Sequence, residues 1–286
     1  MTFIIHGATG AQGGPLIKRL LATGKPALAA VRNAASANGM PAVAVDNASV
    51  DSLVAAYRHA EGVFFHLPLA AETERVQYAR NFAQAIALAR PARIIISTSG
   101  NVVDEPGSPI QVPDDSAVAV LLREVARTGV SCAVVAPRLY LENLLLPIQF
   151  DAIKAEGVLR YPLRSDYQVS WSSHLDVAEV VESLLADPTI TGIVGLGHEP
   201  GLAGSDLAAG FAQHLGMPVR YEAISPEAFG VMLTPLFGAG PAAGVVAGYQ
   251  AKAQTKACVI ANATSAQSLL GLQPRSVQHW LADVLG

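Results

Sequence analysis

An apolar stretch, Thr2-Phe3-Ile4-Ile5-His6, runs directly into Gly7-Ala8-Thr9-Gly10-Ala11-Gln12-Gly13-Gly14 and then into Pro15-Leu16-Ile17-Lys18-Arg19-Leu20-Leu21. Leu16, Ile17, Leu20 and Leu21 fall at helical spacing, so the sequence predicts a strand, a glycine-rich turn and an amphipathic helix in immediate succession. A pyrophosphate suits that junction. Residues without a Cβ let the backbone approach a ligand, and a helix start offers free N–H groups and a partial positive charge. The spacing is G-x-x-G-x-x-G, not the G-x-G-x-x-G of ordinary dinucleotide dehydrogenases. Glycines also serve plain tight turns; the position at the first strand-to-helix junction is what points this triplet to a nucleotide. The predicted cofactor contacts of the turn are Gly7, Thr9, Gly10, Ala11, Gln12 and Gly13. Gly10 and Gly13 are expected against the pyrophosphate itself, so that Gly13→Val should abolish binding and leave the fold intact.

Short apolar runs recur after the turn at Ala27–Val31, Ala42–Val45, Gly62–Leu67, Arg93–Ser97 and Val130–Ala136. Helical stretches such as Glu72–Ala89 and Ser116–Arg127 lie between them. Strands buried on both faces read as continuous apolar runs, so the pattern predicts an α/β fold: a Rossmann-type doubly wound parallel sheet. Residues 1–150 form the expected nucleotide-binding domain. Residues 151–286 form a smaller, helix-rich α/β substrate domain, with 176–197 returning to the first through a strand at Thr191–Leu196. Further helices are predicted at Asp176–Ala186, Ser205–Leu215, Pro226–Leu233, Gly244–Lys256 and Pro274–Leu285, with a short strand near Val219–Tyr221. The Gly/Ala-rich run 238–248 reads either as close helix packing or as a mobile lid.

With 51% hydrophobic and only 15% charged residues, the 286-residue chain is expected to bury a substantial core. A net charge of −4 argues against nucleic acid as the main partner. No run approaches the roughly 18 apolar residues needed to span a bilayer, so no membrane association is expected. The apolar start lacks the basic flank of a signal peptide. Cys132 and Cys258 form no motif, which points to the cytoplasm and no disulfide framework. Seven histidines without ligand spacing predict no metal site. His6 and His66, on apolar strands, read as core residues.

The choice of nucleotide rests on the tip of the second strand. NAD enzymes carry an acidic residue about 20 positions beyond the turn, where it takes the ribose hydroxyls. Here the strand ends Val31-Arg32-Asn33, and a guanidinium grips a 2′-phosphate where a carboxylate would repel it. NADP(H) is therefore favoured over NAD(H). Asp46, closing the third strand, is read either as an acceptor for the adenine amino group or as the cap of a helix starting near Ser49.

These residues, together with Ala136-Pro137-Arg138-Leu139-Tyr140-Leu141-Glu142-Asn143-Leu144, Val169-Ser170-Trp171 and His174-Leu175-Asp176-Val177-Ala178, resemble the NmrA-like group of atypical short-chain dehydrogenase/reductases over nearly the whole chain. The resemblance implies an NADPH-dependent reductase of quinones or other small molecules, or a protein that binds NADP without turnover and reports redox state. It departs from typical short-chain dehydrogenases in one respect. Those carry a Tyr-x-x-x-Lys pair whose tyrosine protonates the carbonyl and whose lysine holds the nicotinamide ribose. Here the helix reads Asp115-Ser116-Ala117-Val118-Ala119-Val120-Leu121-Leu122-Arg123-Glu124, without such a pair, and Val118 and Leu122 stand where the NmrA-like pattern often shows a lysine or histidine followed by glutamate. Ordinary carbonyl–alcohol chemistry is not expected, whereas a quinone stacked on the nicotinamide can take hydride by positioning alone.

The remaining cofactor contacts expected at strand ends are Leu67 and Pro68 as a cleft wall, Thr98 and Ser99 beside the nicotinamide ribose, and Pro137 at the nicotinamide face. Tyr140, Asn143, Trp171 and Phe237 form the expected substrate wall. Tyr140 is the candidate catalytic donor, although the end of an apolar strand is also an ordinary place for a packed tyrosine. Asn143 is read as either a wall residue or the cap of a helix at 144–155. His174 and Asp176 are expected to cap a helix rather than act as an acid–base pair. The proline-rich acidic segment 100–116 reads either as a lid or as a solvated linker. The expected partner is a small-molecule acceptor such as a quinone; a homodimer or a regulatory protein partner is the macromolecular counterpart of the sensor reading.

Overall fold

A computed structural model describes residues 2–286. Its centre is a seven-stranded sheet built from β1 (Thr2–His6), β2 (Ala27–Val31), β3 (Ala42–Ala44), β4 (Ala60–Phe65), β5 (Ile94–Ser97), β6 (Cys132–Pro137) and β11 (Gly192–Leu196). Every pairing in it is parallel, and the order is β11-β6-β5-β4-β1-β2-β3. The chain builds outward from β1 to β3, then crosses back to β4 on the other side of β1. The strand order thus reverses between β1 and β4, where an open α/β sheet leaves a crevice at its carboxyl edge.

Alternating strand residues feed two cores. Phe3, Ile5, Ala29, Phe64, Ile95 and Val135 face α1 (Gly13–Ala22) and α6 (His174–Ala186). Ile4, Val63, Phe65, Ile94, Ile96 and Val134 face α2 (Val50–Tyr57), α3 (Glu72–Ala89) and α4 (Ala117–Arg127). Both faces are covered, which is why these strands read as unbroken apolar runs rather than alternating ones. The buried Arg93 guanidinium bonds the carbonyls of Leu184, Asp187, Pro188 and Ile190, tying the end of α6 to the sheet where β11 begins.

A third core, away from the sheet, collects Tyr161, Trp171, Phe211, Phe229, Tyr249 and Trp280. Around it lie β7 (Leu139–Tyr140), α5 (Pro147–Glu156), β8 (Val158–Tyr161), β9 (Gln168–Val169), β10 (Trp171–Ser172), α7 (Gly204–Leu215) and β12 (Arg220–Ala223). The chain completes it with α8 (Pro226–Phe237), α9 (Ala239–Ala253), β13 (Ala257–Cys258), α10 (Ala266–Leu270) and α11 (Val277–Leu285). The short strands form three two-stranded parallel pairs, β7 with β10, β8 with β12 and β9 with β13. The Gly/Ala-rich run is helical: α8 and α9 pack together, and a Cβ on Gly230 would meet a Val246 methyl at 2.4 Å. No described helix is long and apolar enough to cross a membrane.

His6 is a core residue, as its strand position predicts. Its Nε2 pairs with the Tyr57 hydroxyl at 2.7 Å, and Phe65 and Phe82 meet its ring edge to face. Burial, with a smaller push from His66, lowers its pKa from 6.5 to about 3. The unfolded chain takes up a proton below pH 6.5 that the folded chain refuses, so stability present above pH 6.5 is lost as the pH falls toward 3. Urea unfolding across that range should show a falling free energy, and His6→Leu should flatten the slope. An equally steep slope in the variant would locate the acid sensitivity elsewhere.

Candidate functional site

The glycine turn closes on itself. Gly10 N donates to Gly7 O at 2.8 Å, and Gly14 N donates to Gly10 O at 3.0 Å. Gly7 has φ +63°, a conformation that favours glycine. The two remaining glycines then diverge in role. A Cβ on Gly10 would have only the Gly7 carbonyl nearby, at 3.3 Å, and Gly10 faces outward with Thr9 and Ala11. A Cβ on Gly13 would lie 2.4 Å from His6 O and 2.5 Å from Gly7 O. Gly13 is therefore the residue that lets α1 pack on the end of β1. The expectation that valine there spares the fold is corrected: backbone, not an open groove, fills the space.

No side chain caps the start of α1. Gln12 holds the cap position, but its amide is spent beneath the turn: Ser97 Oγ donates to Oε1 at 2.6 Å and Nε2 donates to Ser99 Oγ at 2.9 Å. It braces the turn of β1 against the tip of β5. Ser99, at φ +54°, is thereby engaged, while the fully buried Thr98 leaves Oγ1 without a partner. Above the turn opens a groove of about 600 Å³ lined by Thr9, Gly10, Ala11, Lys18, Asn38 and Leu175, among others. Lys18 was not foreseen as a lining residue; its place on the exposed side of α1, opposite the Leu16–Leu20 stripe, is the signal that marks it. Arg32 stands exposed just past β2 but is not among the residues lining this groove.

Asp46 does not cap α2. Its Oδ1 accepts from Ala48 N at 2.9 Å in a local turn, and Ser49 is the cap, accepting from Ser52 N. Leu67 is buried and Pro68 half-buried past the end of β4, and Pro137 ends β6 in the core. Val118 and Leu122 lie on the face of α4 that packs into the sheet, so no proton-carrying pair projects from that helix.

Tyr140 lies at the carboxyl edge of the sheet, following β6, and its hydroxyl is buried without a hydrogen-bond partner. Burial pushes the phenol well above its ordinary pKa, with the Ser97 side chain nearby pulling weakly the other way, so it stays protonated. The His174 ring lies against it at a 41° tilt, with centroids 4.4 Å apart. Glu142 backs His174: Oε1 accepts from His174 N at 2.9 Å and from Trp280 Nε1 at 3.2 Å, and Oε2 stands 3.6 Å from His174 Nδ1. Burial and the nearby His66 lower the His174 pKa to about 4, so its ring is neutral at neutral pH. Of the two residues expected to cap the helix, only Asp176 does so: Ser173 is the cap, its Oγ accepting from Asp176 N while Asp176 Oδ2 accepts from Ser173 N, and His174 instead faces Tyr140. His66, expected in the core, stands just past β4, half-buried, with Nε2 unpartnered.

The expected substrate wall does not assemble. Trp171 is 1% exposed and packs edge to face on Tyr161, so it supports β7 from the core instead of facing a ligand. Phe237 is half exposed at the end of α8. Asn143 sits in a short 3₁₀ turn, Leu141–Leu145, with α5 beginning only at Pro147, and its amide lies against the Tyr161 phenol. The segment 100–116 is tethered through its first residues, while Pro106, Gly107, Pro109, Pro113, Asp114 and Asp115 are exposed to solvent. Val102 is buried, Val112 N donates to Val102 O, and the buried Arg138 pairs with Asp104 at 2.8 Å and Glu105 at 3.5 Å. Asp104 and Glu105 neutralise an internal guanidinium, whereas Asp114 and Asp115 stay on the surface. Among the described residues, no cluster of His, Cys, Asp or Glu could hold a metal ion.

Comparison with known proteins agrees with this architecture. An NAD(P)H azoreductase of Xenophilus azovorans is 29% identical over 238 residues, covering 78% of this chain and 77% of that protein. The Citrobacter sp. triphenylmethane reductase complexed with NADP(H) superposes with a TM-score of 0.80 at 18% identity, over 98% of both chains. An NADPH-dependent quinone oxidoreductase of Escherichia coli, complexed with NADPH, does so with a TM-score of 0.76 at 20% identity over the full length of each. At such identities the two structures establish the shared fold. The model of the NmrA-like family matches residues 1–269, and on that extent the chain belongs to the NmrA-like family.

Proposed function

We propose that the protein is an NADP(H)-dependent oxidoreductase that reduces a small conjugated acceptor, a quinone or an azo compound. The observation that carries this reading is the groove on the glycine turn: an uncapped helix start at the crevice where the strand order reverses, with unpartnered buried polar atoms of Thr98 and Tyr140 along the same sheet edge. Free N–H groups and helix polarity suit a pyrophosphate, and orphaned buried polar atoms suit a ligand rich in hydroxyls and amides. The bound nicotinamide supplies the hydride. Residues 1–150 with 176–197 bind the nucleotide in this reading, and the remainder carries the acceptor side.

The chain's own contribution is positioning. Tyr140, kept protonated by burial, donates a hydrogen bond to the acceptor heteroatom on which charge develops, and His174 with Glu142 holds the phenol in place. With Val118 and Leu122 in place of a Tyr-x-x-x-Lys pair, the acceptor must be electrophilic enough to need no strong acid. The same absence favours a second reading, an NADP(H) sensor without turnover that acts through a protein partner. Two free cysteines suit a reducing compartment, in line with a cytoplasmic protein.

The test is an NADPH titration followed by a panel of quinones and azo compounds, monitored by nicotinamide absorbance. Acceptor-dependent oxidation is expected; tight binding with no oxidation on any acceptor selects the sensor. Nucleotide choice is tested on Arg32, exposed just past β2, and on Lys18 of the groove wall. Arg32→Ala should weaken NADPH binding about ten- to hundredfold, the worth of a charge-assisted contact, and leave NADH nearly unchanged. If Lys18→Ala does so instead, the 2′-phosphate belongs to the groove wall. Equal losses for both nucleotides would remove Arg32 from that role.

A further inference from the structure

A second cavity opens beside the third core, where β8 and β12 end, α8 begins and α9 ends. It holds about 140 Å³, and Leu163, Tyr167, Ile224 and Pro226 form its walls. An apolar cavity of about 150 Å³ takes a benzene ring and stays free of water. Arg164 and Lys252 are the charged residues that line it, and no acidic residue does. It shares no lining residue with the groove on the glycine turn.

Lys252 is the uncompensated member of this cavity. It is half-buried, with Nζ over the Tyr249 ring, 5.4 Å from the centroid. Among the described residues it has neither an ion pair nor a hydrogen bond, and burial lowers its pKa. The titratable group that acts on it is the Cys258 thiol, which burial keeps neutral. The carboxylates of the surrounding elements are taken: Asp166 by Arg164 at 3.2 Å, Glu105 by Arg138 and Glu227 by the Gln250 amide. An aromatic face returns only part of the hydration that an ammonium gives up.

The other polar groups at the rim already have partners. The Arg164 guanidinium lies over the Tyr167 ring, donates from Nε to Asp166 and from Nη1 to Thr255 O at 3.3 Å. The Tyr167 hydroxyl bonds Thr255 Oγ1 at 2.6 Å. One free ammonium beside apolar walls matches one negative charge on an apolar body; a dianion would bring a second charge with nothing to meet it. We propose that this cavity is a second small-molecule site, taking a monocarboxylate that carries a single apolar ring. The carboxylate accepts from Lys252 Nζ, and the ring lies between Leu163, Tyr167 and Ile224.

Calorimetric titration of the full chain with benzoate, and with benzyl alcohol as its uncharged counterpart, tests the site. Benzoate should bind saturably at one site, with NADPH present as without it, and benzyl alcohol at least about tenfold more weakly. Lys252→Met keeps an apolar stem against Tyr249 and removes the charge. It should weaken benzoate about ten- to hundredfold, the worth of a charge-assisted contact, and leave thermal unfolding near that of wild type. Lys252→Arg restores a cation and should recover part of the loss. Ala253→Trp, a bulky side chain at an exposed lining position, should block benzoate as well. No saturable benzoate binding by the wild type would overturn the site, and benzyl alcohol binding as tightly would overturn the role of the charge. Wild-type affinity in Lys252→Met, with benzoate displaced by NADPH, would place the probe in the nucleotide groove and overturn the assignment.

Discussion

Gly13→Val is expected to lose the fold of the nucleotide side before it loses any ligand. The added Cβ would fall 2.4 Å from His6 O and 2.5 Å from both C and O of Gly7. These are backbone atoms at the end of β1, and no rotamer change moves them. Relief requires α1 to lift off the sheet, yet α1 buries Leu16, Ile17 and Leu20 completely. Overpacking costs about 1–3 kcal/mol where side chains can adjust, and backbone against backbone belongs at the upper end or beyond, roughly 3 kcal/mol or more. For a chain of this size that lowers Tm by about 6–12 °C. Gly10→Ala is the control: its only close neighbour is Gly7 O at 3.3 Å, so its melting should stay near that of wild type. Thermal unfolding of both variants decides the matter, and a Gly13→Val protein melting with the wild type would show that the turn has room to move.

Arg138→Met carries the other large expected effect. The guanidinium is 1% exposed, with Nη2 donating to Asp104 Oδ2 at 3.0 Å and to Val259 O at 3.4 Å. Methionine fills much of the volume but abandons Asp104 and Glu105 beside a partly desolvated space. Removing one partner of a buried pair costs about 3–5 kcal/mol, chiefly because the other charge is left uncompensated. The segment 100–116 should then come loose from the third core, where Val102 anchors it. A drop in unfolding free energy together with new protease cleavage within 100–116 is the expected pair of results. Adding Asp104→Asn should recover part of the stability, because it removes the stranded charge. Wild-type resistance to protease in Arg138→Met would mean that Val102 and the Val102–Val112 hydrogen bond hold the segment unaided.

The parts of this molecule that depend on neighbours in sequence were legible in it. The β1–turn–α1 junction is a local object: apolar strand, glycines and helical stripe lie within one short run, and the structure closes it with the Gly10–Gly7 and Gly14–Gly10 bonds. Helix α3 spans the predicted residues, and Ser116 caps α4 where its pattern begins. Unbroken apolar runs foretold a sheet covered on both faces, because a strand with helices on each side has no solvent face to mark with polar residues.

Roles that depend on what lies across space were not legible in the same way. Trp171 and Tyr140 sit on paired strands, yet one is sealed in the core and the other leaves its hydroxyl orphaned at the sheet edge. His6 and His66 both adjoin apolar strands. His6 is the last residue of β1 and bonds Tyr57 in the core, whereas His66 falls one residue past the end of β4 at Phe65 and turns its ring tip against Gly7. Asp104 and Glu105 looked no different from the exposed Asp114 and Asp115 until the fold brought Arg138 to them from the end of β6.

By itself, then, the sequence determined the parallel α/β architecture, the glycine turn and the absence of an acid–lysine pair on α4, since each is written in residues close along the chain. Only the tertiary structure decided that Gly13 is where α1 packs on the end of β1, that Gln12 braces β5, and that Tyr140 and His174 meet at one edge. Burial and orphaned hydrogen-bonding capacity are properties of surroundings, and those surroundings are assembled from strands and helices far apart in the chain.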